Sequence, residues 1–156
     1  MRRILIFVVF HLLTFSVSAQ LLNDNEMKQT LTKGLDKLYN YEFKEADLLF
    51  QKVKAKYPQH PVTPLINALQ IQWQNLPIEK NPKALAQYMM MLEKCQKLAE
   101  PMLKDPAKKP EATFFLLASH GYITLAYTYK KEQIKVITCL KKHVRVKLGQ
   151  PDFFNN

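Results

Sequence analysis

Gly34, Phe43, Ala46, Phe50 and Pro58 follow one another at spacings of 9, 3, 4 and 8 residues, and this pattern constrains the chain more than any other feature. It fits one helix, a short turn and a second helix. The first helix has a small residue where the two approach closely; the second carries an alanine and an aromatic one turn apart and is stopped by proline. Such a hairpin cannot bury its apolar side alone, so the pattern predicts further helices packed against it.

The first nineteen residues stand apart from this fold. Arg2 and Arg3 precede an apolar run from Ile4 to Phe10, and Val17-Ser18-Ala19 offers small residues for cleavage before Gln20, so residues 1–19 read as a secretory signal peptide. An uncleaved anchor is the weaker reading, because His11, Thr14 and Ser16 interrupt a run already short for a membrane span. No cysteine follows the small residues, which argues against a lipoprotein anchor. The expected location is therefore outside the cytoplasm: periplasmic, outer-membrane-associated or secreted.

The net charge is +10, or +8 without Arg2 and Arg3, since all 13 acidic residues lie beyond the leader. The lysines are spread along every segment instead of forming one stripe, so no nucleic-acid partner is expected, while attraction to an anionic membrane surface stays open. An oxidising compartment would permit a bridge between Cys95 and Cys139, and two separately buried thiols fit the sequence equally. Only 3 glycines argue against a turn-rich all-β fold. About 137 residues remain after the leader, enough for one ordinary core and one domain.

Helical spacing recurs along that domain, after a lead-in over 20–26 in which Asn23, Asp24 or Asn25 can cap the first helix. That helix is expected over 27–39, with Leu31, Leu35 and Leu38 on one face and a left-handed Asn40 at its end. The second is expected over 42–57, and the third from Pro61 or Pro64 to Leu76. Asn81-Pro82 opens the fourth, which runs to Ala99. The fifth, over 110–130, is apolar around much of its circumference and should sit between neighbours. Over 132–148 the β-branched residues and the alternation Val144-Arg-Val-Lys-Leu148 leave a strand as the alternative. A helix through Val144 is preferred because Ile134, Ile137, Leu140 and Val144 keep helical spacing. Residues 149–156 read as a disordered tail.

These features resemble the tetratricopeptide repeat superfamily, in which helical hairpins of 34 residues stack into a solenoid with a concave binding face. Residues 27–60 look like one repeat, with Gly34 in the small position, Phe43 opening the second helix, Ala46 and Phe50 as its packing pair and Pro58 closing it. Lys37 departs from the pattern, since the family usually has tyrosine there. A degenerate further copy can be read at Thr124, Tyr127, Val136 and Leu140. The resemblance implies an all-α domain over 27–148 of about three hairpins, hence six helices, that binds partners and does no chemistry.

On that resemblance, the concave side of the first hairpin would be lined by Lys28, Leu31, Thr32, Leu35 and Tyr39, although the leucines fit a core role equally. Trp73, the only tryptophan, stands among amides in Gln70-Ile-Gln-Trp-Gln-Asn75, a composition suited to anchoring a peptide. No catalytic residue, cofactor or metal is expected. His60, His120 and His143 lack a carboxylate at ligand spacing, Ser119-His120 diverge on a helix, and no phosphate-cradling glycine loop is present. The function expected is a scaffold that holds a protein or peptide partner, with self-association through hairpin faces open. The alternative is a carrier of lipid or another small apolar ligand, with a cavity near Trp73, the run Tyr88-Met-Met-Met91 and Phe114-Phe115.

Overall fold

The computed structural model describes residues 20–148, and the expectations of a leader over 1–19 and a tail over 149–156 lie outside the described residues. Every regular element within them is helical: α1 (Asn25–Tyr39), α2 (Phe43–Lys56), α3 (Val62–Gln74), α4 (Pro82–Ala99), α5 (Lys109–Tyr129) and α6 (Gln133–Leu148). Single 3-10 turns, Leu21–Asn23, Ile78–Lys80 and Glu100–Lys104, join or precede them. Extensive packing links α1 with α2, α3 with α4 and α5 with α6, and α4 also packs broadly on α5. Contact between α2 and α3 is narrower.

One core unites these helices. Leu38, Phe50, Val53, Ile66, Tyr88, Leu92 and Phe115 are fully or almost fully buried in it. Each aliphatic or phenyl side chain so removed from water contributes about 1.5–3 kcal/mol. Gly34 lies inside the contact between α1 and α2, directly against the Phe50 ring.

Helix ends obey local chemistry. Asp24 is the residue that caps α1, its carboxylate accepting from Met27 N at 3.2 Å, and it also accepts from the Tyr57 hydroxyl at 2.7 Å and pairs with Lys56 at 2.6 Å. The lead-in is thereby tied to the end of α2, with Leu21 buried beside it. Asn81 caps α4 by accepting from Ala84 N at 3.1 Å, with Pro82 at the first helical position.

The left-handed residue after α1 is Tyr41 (φ 62°), not Asn40 (φ −88°) as the sequence suggests. Asn40 is used otherwise, its side-chain amide donating to Asp36 O at 2.9 Å. Lys131, ninety residues further on, has the same conformation (φ 58°) after α5. The two turns share their hydrogen bonds: Tyr41 N to Leu38 O at 3.1 Å and Glu42 N to Lys37 O at 2.9 Å match Lys131 N to Thr128 O and Glu132 N to Tyr127 O, both at 3.0 Å. This is the Schellman closure of a helix, built twice without glycine.

The strand alternative at the C-terminal end does not hold, because Val144–Leu148 continues α6. Cys139 and Val146 of that helix pack on the core, and no strand exists among the described residues for an alternating segment to pair with.

Candidate functional site

Four aromatic side chains meet where α1, the turn after it, α2 and α3 come together. Tyr39 and Trp73 have ring centroids 4.9 Å apart, Tyr41 stands edge-on to Trp73 at 5.6 Å, and Tyr41 meets Phe43 at 5.9 Å. The left-handed backbone at Tyr41 turns that ring toward its neighbours. Tyr39 and Tyr41 remain exposed and Trp73 half-buried, so the cluster presents aromatic faces to solvent. Aromatic groups with a polar end suit an interface that is dry on one side and wet on the other.

Phe43 also belongs to an open groove of about 640 Å³ that runs between α2, α3 and α4. Asn67, Gln70 and Gln74 come from one face of α3, Gln87, Met90 and Met91 from α4, and Lys44 and Asp47 from α2. Gln70 is fixed at the floor: its amide donates to Asp47 Oδ1 at 3.1 Å while its carbonyl accepts from Lys54 Nζ at 3.2 Å. That amide donor is the main cause holding the Asp47 carboxyl below its usual range, with Lys54 assisting. Gln74, Gln87 and Met90 stand exposed at the rim. Amides able to pair with peptide backbone thus face thioethers that adapt to side chains of varied shape.

Of the residues singled out from sequence, Tyr39 and Trp73 are brought together here. Leu31 and Leu35 instead pack against the core with part of their surface open. The Thr32 hydroxyl is exposed and donates to Lys28 O at 3.0 Å within its own helix. Lys28 lies eleven residues before Tyr39, about 16 Å along α1, and does not join the aromatic cluster. Asn67, Gln87 and Asp47 are site residues that sequence reasoning misses. The one signal available is the spacing of Asn67, Gln70 and Gln74 along α3, three and four residues apart.

A second polar constellation is a fastening in the interior. Glu111 opens α5 almost wholly buried, accepts from Leu22 N at 3.1 Å and faces His60 Nε2 at 3.4 Å. His60 Nδ1 accepts from Val62 N at 3.2 Å, so in the neutral ring the proton sits on Nε2, toward the carboxylate. Tyr57 and Phe115 enclose the imidazole edge-on at 5.4 and 5.2 Å. Each polar partner belongs to a different segment, so this group joins the lead-in, the turn before α3 and α5.

Phe114 and Phe115 are not part of the groove's lining, and Phe114 projects to solvent beside Phe115. Both cysteines are free and buried, with Cys139 Sγ donating to His120 O at 3.4 Å. Among the described residues no three His, Cys, Asp or Glu side chains gather as a metal site would require, and no helix is long and apolar enough to cross a membrane. No family model matches the chain, and no curated protein or solved structure is significantly similar to it.

Proposed function

We propose that this chain is an exported, non-enzymatic scaffold of stacked helical hairpins of the tetratricopeptide type, which holds an extended segment of a protein partner in the amide-lined groove beside Trp73. The observation that carries this reading is the continuity between the aromatic cluster and the groove through Phe43. Aromatic rings supply anchoring area at little entropic cost, while the rim amides of Gln74 and Gln87 can pair with backbone groups of an extended chain. Lys44 at the same rim favours a partner segment with an acidic residue.

The repeat character is supported by the contact of Gly34 with Phe50 and by the recurrence of one turn geometry at Tyr41 and Lys131. Export rests on the arrangement of residues 1–19. Site-specific photocrosslinking tests the binding role: benzoylphenylalanine in place of Gln74 or Gln87, in the native host, should trap one defined protein that the same group in place of exposed Lys52 does not trap. Equal trapping from all three positions, or from none, would reject the groove.

A further inference from the structure

Helix α6 is covered on one side only. Cys139 and Val146 pack inward, while Ile134, Ile137, Leu140 and Val144 are 82%, 54%, 49% and 52% exposed. Successive spacings of three, three and four residues place these four on one face, over a length of about 15 Å. Next to them Thr128 of α5 and Val136 and Ile137 of α6 line a slot of about 330 Å³. A ridge of aliphatic side chains beside a slot is the relief that accepts another helix laid alongside.

Charge narrows the occupant. No aspartate or glutamate occurs from Gln133 to Leu148, whereas Lys131, Lys141 and Lys142 are exposed. Glu132, the acid at the slot, is already engaged by Lys130 and Lys135. A second copy of this chain would bring an equally basic rim and a like net charge, +10 over the full sequence or +8 without Arg2 and Arg3. A lipid surface would meet the ridge and leave the slot unfilled.

We propose that the α5–α6 end of the molecule docks an acidic amphipathic helix of a partner protein. Apolar side chains three and four residues apart on that helix would lie on Ile134, Ile137, Leu140 and Val144, and one would enter the slot at Thr128 and Val136. Flanking carboxylates would meet Lys131 and Lys141. This surface shares no residue with the groove beside Trp73, so either can fail without the other.

The probe is a labelled synthetic helix of about eighteen residues with leucines at helical spacing and glutamates on both flanks, compared by fluorescence anisotropy with a lysine-flanked twin. The glutamate-flanked helix should bind, its twin should not, and raising salt from about 0.05 to about 0.5 M should weaken binding. The pair Ile137→Glu and Val144→Glu should weaken it at least about tenfold with an unchanged melting temperature. Lys131→Glu with Lys141→Glu, which leaves the aliphatic ridge intact, should weaken it as well. The proposal is overturned if neither peptide binds, if both bind alike, or if the variants bind as the wild type does. Sedimentation of a dimer that Ile137→Glu dissociates, or adsorption to phosphatidylglycerol vesicles that Ile137→Glu abolishes, would overturn it in favour of a second copy or a membrane.

Discussion

A Cβ on Gly34 would lie 2.6 Å from Cε1 and 2.8 Å from Cδ1 of Phe50, a ring with no exposed surface. The ring cannot retreat without disturbing the core, so the two helices meet at a distance that only glycine permits. Gly34→Ala gains about 1 kcal/mol of helix propensity and loses about 1–3 kcal/mol to overpacking. The expected net result is a destabilised protein in urea unfolding. Combining it with Phe50→Leu should cost less than the sum of the two single changes, because the smaller side chain vacates the contested space.

Two buried tyrosines should respond to the loss of their hydroxyls in opposite ways. The Tyr57 hydroxyl donates to Asp24 at 2.7 Å, whereas the Tyr88 hydroxyl is buried with no hydrogen-bond partner among the described residues. Tyr57→Phe should destabilise by about 1 kcal/mol or more, and Tyr88→Phe should be neutral or stabilising. Paired thermal melts compare them directly.

Asp24 gives the fold an acid-sensitive fastening. Hydrogen bonds from Lys56, then Tyr57 and Met27 N, hold its carboxyl at about 2, against 3.8 ordinarily. A carboxyl whose folded value is depressed stabilises the fold above its unfolded value and loses that effect as the pH falls toward the folded value. The melting-temperature gap between wild type and Asp24→Asn should therefore be full at neutral pH and shrink between about pH 4 and pH 2. A gap constant over that window would show that the carboxylate charge does not stabilise the end of α2.

Burial pushes the Cys95 thiol up to about 12, and Cys139 is buried as well. Neither should react with iodoacetamide at pH 8 in the folded protein, and both should react in denaturant. Mass spectrometry of the alkylated protein distinguishes zero, one and two adducts. An adduct on folded Cys95 would contradict its packing between α4 and α5.

Much of the helical order is legible in the sequence because periodicity, caps and prolines act locally. Asn81-Pro82 marks the start of α4, and Gly34 marks a close approach that the structure places against Phe50. The turn after α1 differs from its sequence reading at one residue, because an asparagine tolerates the left-handed conformation locally while the edge-on contact of Tyr41 with Trp73 is a tertiary effect. The end of α6 is ambiguous in sequence for a similar reason: its β-branched residues favour a strand, and packing of Cys139 and Val146 on the core decides for a helix. At the candidate site the sequence offers Tyr39, Trp73 and the methionine run but not the meeting of Tyr39 with Trp73, nor the place of Gln87 from α4 beside Asn67 and Asp47. Contacts between residues so far apart in the chain leave no periodic trace.

The central claim is that a partner is held in the groove between α2, α3 and α4, and hydrogen exchange read by mass spectrometry tests it most directly once the crosslinked partner is in hand. Adding that partner should slow exchange over residues 39–47, 67–74 and 87–91. Slowed exchange elsewhere, with those three segments unchanged, would contradict the claim.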